Sequence, residues 1–201
     1  LHQWQAGTDS TIELGSDHST HVGIEFKSKI LRGEKGLQEV VRFFKWLTEV
    51  GAKVNRSTGL HIHIGVKTFT QGLDEDEQIE YVLRNLKAGH SIKNALFAQA
   101  GSANRYFRSC IGGRSNYARA SVSTERTERE ASNNPNGVPC FGGKFFFINT
   151  RNVTEGGFTG RKATIEYRAF AGTTNYLKVL NHLWTCFIIT HTALVLKRNA
   201  W

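Results

Sequence analysis

The chain reads as one α+β domain over residues 1–201, a curved, mostly antiparallel sheet with helices packed on its outer face. Three observations predict this. Runs of period-two alternation recur at residues 8–14, 21–28, 59–65 and 163–170. Between them, apolar residues recur at three- and four-residue spacing, the mark of helices that bury one face. The length of 201 residues, 39% hydrophobic and 21% charged, suits a single continuous core and is short for two.

Residues 8–14 alternate until Gly15-Ser16-Asp17 breaks the pattern, and residues 21–28 alternate again, which predicts a hairpin. Val22, Ile24 and Phe26 then share one face, with Gly23, Glu25 and Lys27 on the other. A glycine beside Glu25 leaves room around the carboxylate, although a lone strand glutamate is more commonly just solvated. Residues 36–51 follow as a helix through Leu37, Val40, Val41, Phe44, Leu47 and Val50, with Gly51 as its stop.

Residues 54–58 lead into Gly59-Leu60-His61-Ile62-His63-Ile64-Gly65. Here Leu60, Ile62 and Ile64 alternate with His61 and His63, so both imidazoles leave one face of a strand. Two buried imidazoles without partners are costly; two surface histidines on a half-buried strand are the plain alternative. A second helix over 74–88 begins with four acidic residues, which complement its dipole, and buries Ile79, Val82, Leu83 and Leu86. Ser91 is a candidate cap for a short third helix reaching Ala100.

Residues 101–143 change in character. Arg105, Arg108, Arg114, Arg119, Arg126 and Arg129 stand among serines, asparagines and glycines, with Tyr106, Phe107 and Tyr117 interleaved. An arginine-rich excursion or insertion of this kind suits a phosphate-grasping loop, an RNA-contacting loop or a solvated surface loop. Residues 144–149 then read as a buried strand. In 163–170, Thr164, Glu166 and Arg168 share one face while Ile165, Tyr167 and Ala169 share the other. Residues 175–197 form a long core helix; Asn181, His182, Thr185, His191 and Thr192 interrupt it too often for a membrane span.

The net charge of +9 attracts phosphates of any kind, from nucleotide to nucleic acid. Cys110, Cys140 and Cys186 are odd in number and form no CxxC pair, which points to a reducing compartment and a cytoplasmic protein. The chain opens at Leu1 and has no methionine, so a processed, excised or partial chain is expected.

Glu25, His61, His63, Glu166 and Arg168 all leave strand faces opposite their apolar neighbours. One sheet collecting them would carry two carboxylates, two imidazoles and an arginine on its polar face. Carboxylate oxygen with imidazole nitrogen suits Mg²⁺ or Mn²⁺ bridging nucleotide phosphates, and the arginine suits a phosphoryl group in transfer. A structural ion pair between Glu166 and Arg168 also explains their spacing. No P-loop is present, so a nucleotide would need another architecture.

The series Asp9-Ser10, Gly23-Ile24-Glu25-Phe26-Lys27-Ser28, Val54-Asn55, Gly59-Leu60-His61-Ile62-His63-Ile64-Gly65 and Thr164-Ile165-Glu166-Tyr167-Arg168-Ala169-Phe170-Ala171-Gly172-Thr173 resembles the amidoligase family. That family belongs with the carboxylate–amine ligases of the glutamine synthetase superfamily, and the resemblance runs over roughly residues 4–190. HxH alone is a weak signal; HxH followed by TIExRxFxGT is a strong one. The resemblance implies a glutamine synthetase-like catalytic fold. It implies that His61 and Glu166 ligate a metal ion at the ATP phosphates and that Glu25 holds a companion ion. It places His63 by the acyl phosphate or substrate carboxylate and gives Arg168 the transferring phosphoryl group. Arg105, with Arg108 beside it, falls where a phosphate-facing arginine is expected, and Asn55 and Gly59 shape the loop a ligand approaches.

The implied reaction joins a small-molecule or peptide carboxylate to an amine through an acyl phosphate, with ATP and Mg²⁺ or Mn²⁺ as cofactors. An assembly of like copies fits this picture; nucleic acid is a less favoured partner and a membrane is not expected. One departure stands out: such enzymes open with a strand carrying ExE, and nothing before Asp9 supplies it, so that N-terminal strand is expected to be missing here. Two other readings remain. One is a zinc hydrolase on His61 and His63, with His18 or His21 as third ligand. The other is a basic binding or structural module of the same fold that has lost the reaction.

Overall fold

The computed structural model describes residues 4–10, 12, 22–55, 57–92, 95, 147–154, 157 and 163–195. Its first two strands, β1 (Trp4–Thr8) and β2 (Ile24–Ser28), pair antiparallel with Trp4 opposite Ser28 and Gly7 opposite Glu25. The hairpin partner of β2 therefore lies earlier than the 8–14 expected from alternation. The reason is aromatic packing. This register places Trp4 and Phe26 on one face, where Trp4 stacks on Phe43 at 3.6 Å between ring centroids and Phe26 meets the same ring edge-on at 5.2 Å. Residues 8–14 offer only Ile12 and Leu14 in exchange.

Helix α1 (Gly33–Glu49) begins three residues before the expected Gly36, which is instead a buried position inside it. A Cβ on Gly36 would come within 3.0 Å of Leu31, so the chain packs across the bare glycine as it enters the helix. Its end is the expected one. Gly51 takes φ +71°, its N–H bonds Thr48 O, and the Ala52 N–H bonds Leu47 O, which makes a Schellman cap.

Strand β3 (Gly59–Gly65) has the predicted bounds, with Ile62 and Ile64 buried. A short α2 (Lys67–Thr70), not foreseen, links it to α3 (Glu75–Ser91). Asp74 and Glu77 form a capping box at the start of α3: Asp74 Oδ1 accepts the Glu77 N–H, and Glu77 Oε2 accepts the Asp74 N–H. Ser91 is the last residue of α3, and its hydroxyl donates to Ala88 O. Most of the expected helix beyond it, the 101–143 excursion and the start of the 144–149 strand lie outside the described residues.

The second half supplies β4 (Ile148–Asn149), a turn of helix α4 (Arg151–Thr154), β5 (Thr164–Ala171) and α5 (Tyr176–Val195). Asn175 caps α5 by accepting the Leu177 and Lys178 N–H groups. The described strands form two antiparallel sheets, β1-β2 and β3-β5-β4, where a single curved sheet was expected. With helices packed against them, the architecture is α+β without a closed barrel.

One face of the β3-β5-β4 sheet is apolar and carries α3 and α5. Ile62, Ile64, Ile165, Tyr167 and Phe170 bury there against Tyr81, Val82, Leu86, Cys186 and Ile189. Each such large side chain contributes roughly 1.5–3 kcal/mol when fully buried. Tyr167 ties strand to helices by its hydroxyl, 3.2 Å from Asn85 Oδ1 on α3 and 2.7 Å from Thr190 Oγ1 on α5. With its back so fixed, β5 presents its other face outward.

Candidate active site

The outward face is organised by register. His63 of β3, Glu166 of β5 and Asn149 of β4 stand opposite one another, one row across three strands. Side chains paired this way share a face and lie within contact of their neighbours. Between the pairs Leu60/Phe170 and Ile62/Tyr167 the register slips by one, so Arg168 and Ala169 of β5 face the single His61. The slip brings Phe170 to the apolar side, and Ala169 before it is buried in the same core. Arg168, two residues after Glu166 on the same face, lies at the slip and contacts both Glu166 and His61.

Glu166 is the centre. Its Oε1 accepts from Arg168 Nη1 at 2.6 Å and lies 3.4 Å from His61 Nδ1 and 3.6 Å from His63 Nε2. Its Oε2 accepts from the Asn149 amide at 2.7 Å. Arg168 Nη1 also reaches His61 Nδ1 at 3.4 Å. The side chains are graded in depth, with Glu166 7% exposed, Arg168 12%, His61 29% and His63 46%. An acid and its guanidinium therefore form the floor, and the imidazoles rise to the rim.

Electrostatics follow from that depth. Burial lowers the His61 pKa to about 4, and the Arg168 charge adds to the effect against the opposing pull of Glu166. Burial lowers His63 too, more than Glu166 raises it. For Glu166 burial pushes upward, but Arg168, His63, His61 and the Asn149 hydrogen bond together outweigh it and hold the carboxyl below its ordinary value. At neutral pH both imidazoles are thus uncharged and the carboxylate is ionised. All three are in the form that donates electron pairs.

This arrangement makes stability pH-dependent. Unfolded histidines take up protons near pH 6.5, whereas folded His61 declines one until about pH 4, so the unfolded state gains protons first as pH falls. His63 and His182, both lowered mainly by burial, act with the same sign. Glu166, lowered in the folded state, adds a loss at still lower pH. The urea midpoint is therefore expected to fall between about pH 7 and about pH 4.5, and to fall less in His61→Gln. Equal midpoints at the two values would contradict the assignment.

The structure thus brings together four of the residues singled out from sequence: His61, His63, Glu166 and Arg168. Glu25 stands on the other sheet, opposite Gly7, and its Oε2 pairs with Lys27 Nζ at 2.7 Å. Its charge reaches His61 as the weakest of the influences there. Asn55 builds the turn into β3, its Oδ1 accepting from Ser57 N and Ser57 Oγ, and Gly59 opens that strand opposite Ala171. Arg105, Arg108, His18 and His21 lie outside the described residues. Among the described residues no group of three or more His, Cys, Asp or Glu side chains is disposed to hold a metal ion, and no helix is long and apolar enough to cross a membrane.

Sequence reasoning missed Asn149, Asn152 and Thr164 as site residues. Asn149 is the polar end of a strongly apolar run, and Thr164 shares the Glu166 face by alternation. Neither signal says what the side chain touches.

A family model described as "Putative amidoligase enzyme" matches residues 1–108 of the 201, which takes in Glu25, His61 and His63 and stops short of Glu166 and Arg168. No curated protein and no solved structure matches the chain. Glu166 and Arg168 join the matched histidines through strand pairing, in the row that His63 and Glu166 share. With more than half its length matched, the chain belongs to the amidoligase family.

Proposed function

We propose that the protein is an ATP-dependent carboxylate–amine ligase that forms an amide through an acyl phosphate, on a glutamine synthetase-like sheet. The observation that carries this reading is the single row of His63, Glu166 and Asn149, with His61 and Arg168 gathered against Glu166. Family membership supports the ligase class. The +9 charge favours an anionic substrate.

The donor set fits a divalent ion held by His61 and Glu166. Both are in their electron-donating form at neutral pH. Two protein donors suffice for Mg²⁺ or Mn²⁺, because such ions keep waters and take substrate phosphate oxygens for the remainder. When bound, the ion supplies positive charge that lets a triphosphate and a carboxylate approach.

The chain's own residues do the following. Arg168, fixed by Glu166 at 2.6 Å, offers guanidinium donors to the phosphoryl oxygens as charge shifts along the reaction. His63 at the rim lies beside the carboxylate being activated. Asn149 keeps Glu166 in place by its second oxygen. The γ-phosphoryl group passes from ATP to an oxygen of the substrate carboxylate as its bond to the bridging oxygen of the departing ADP breaks; the amine then attacks the acyl carbon, phosphate leaves, and a proton is lost from nitrogen.

The test is phosphate release from ATP across a panel of carboxylates and amines, with the product mass measured. Release that needs both substrates, accompanied by an amide of the summed mass less water, is the expected result. Release that ignores the amine and yields no amide would count against the reading.

A further inference from the structure

We propose that the outer face of α5 is a self-association surface, which pairs antiparallel with α5 of a second copy of the chain. The inner stripe of this helix is buried, and Cys186, Ile189 and Ala193 join the core under the β3-β5-β4 sheet. The opposite stripe consists of Leu177, Asn181, Trp184, Ile188, His191 and Val195, all exposed, the four apolar ones by 57% to 62%. A helix that is apolar on opposite sides is normally buried on both. The outer side of α1 shows the usual alternative, with Glu34, Lys35, Gln38, Arg42 and Lys45 exposed.

The spacing selects the occupant. The six outer residues follow one another in steps of four and three, the repeat that keeps a seam facing another helix along its whole length. The seam also complements itself when the second copy runs backwards. With the helices opposed about Cys186, Leu177 meets the other copy's Val195, Asn181 meets its His191 and Trp184 meets its Ile188. Apolar residues then meet apolar ones, the largest ring meets a smaller branched chain, and the two polar residues share a layer in which each can donate or accept. Phe187, exposed beside the seam, lies next to the two-fold axis and adds its ring from both copies. Run parallel, the same seam would set Trp184 on Trp184.

Charge and area agree with this occupant. Two chains of net charge +9 repel over much of their surface, but Lys178 is the only Lys, Arg, Asp or Glu between residues 176 and 195. Antiparallel pairing sends the two Lys178 side chains to opposite ends of the seam. Leu177, Trp184, Phe187, Ile188 and Val195, each about half exposed, offer on the order of 500 Å² per copy, hence about 1,000 Å² between two, the lower size of a specific interface. The row of His63, Glu166 and Asn149 leaves the other face of the sheet, so pairing neither covers it nor depends on the ligase reading.

Sedimentation equilibrium of the 201-residue chain is expected to give twice its 22.5 kDa mass at about 100 μM. Trp184→Glu and Ile188→Glu each put a charge into the seam and are each expected to raise the dissociation constant at least about 100-fold, with unchanged helical circular dichroism. Lys35→Glu, on the outer side of α1, is expected to leave the dimer intact. Direction is read with a short bis-maleimide after Cys110→Ser and Cys140→Ser. A mixture of Leu177→Cys and Val195→Cys copies is expected to link, whereas Leu177→Cys alone is not, its two thiols lying about 27 Å apart along the helix. A dimer that survives either glutamate, or Leu177→Cys copies that link to each other as readily as the mixture, would overturn the proposal. A chain monomeric at that concentration would also overturn it, whether its own residues or, by cosedimentation with phosphatidylcholine vesicles, a membrane covers the stripe.

Discussion

Glu166→Ala is expected to lower the unfolding free energy by about 3–5 kcal/mol, the range for removing one partner of a buried pair. Arg168 is 12% exposed and meets the carboxylate at 2.6 Å, so the substitution removes this charged partner from a largely desolvated guanidinium. The Asn149 amide loses its acceptor at the same time. Glu166→Gln is not a gentle alternative. Its amide nitrogen would face the Asn149 amide nitrogen, and Asn149 cannot turn over because its oxygen is held by the Arg151 N–H. A cost of roughly 2 kcal/mol is expected for that clash of donors. By contrast, Glu25→Gln breaks an exposed pair with Lys27 and should cost under about 1 kcal/mol. Urea unfolding of the three variants ranks them. A Glu166→Ala midpoint equal to that of Glu25→Gln would mean that Glu166 is not the centre of the cluster.

Alternation located most of this site. It put His61 and His63 on one face of β3 and Glu166 and Arg168 on one face of β5, and the structure places them so. What alternation could not give was the pairing. Nothing in the spacing of residues about a hundred apart says that His63 faces Glu166, because register depends on how both apolar faces meet α3 and α5. The bulge had a faint trace in sequence: Ile165 and Tyr167 are apolar at i and i+2, and the next large apolar residue, Phe170, is out of phase. The sequence reading carried the alternation on to Ala169, which is buried in the same core, and did not add Phe170 to that face. Asn149, Asn152 and Thr164 were harder still, since short polar side chains acquire a role only from the contacts a fold supplies. At the other end, Trp4 misled the reading of β1. A single aromatic stacked on Phe43 outweighed several residues of polar alternation.

The second large effect concerns the ion-holding pair. If His61 and Glu166 hold a divalent ion against nucleotide phosphates, losing either should weaken binding of a non-hydrolysable ATP analogue on the order of 100-fold in the presence of Mg²⁺. Without Mg²⁺ the native chain and the variants should bind alike and weakly, since only general attraction to a basic surface remains. His61→Ala is the cleaner variant of the two, because it removes one donor and leaves the buried Glu166–Arg168 contact intact.

Calorimetric titration of the native protein and His61→Ala with that analogue, with and without Mg²⁺, tests the central claim most directly. The account predicts tight binding only for the native chain and only with Mg²⁺ present. Binding of equal strength in both proteins, or binding indifferent to Mg²⁺, would contradict it.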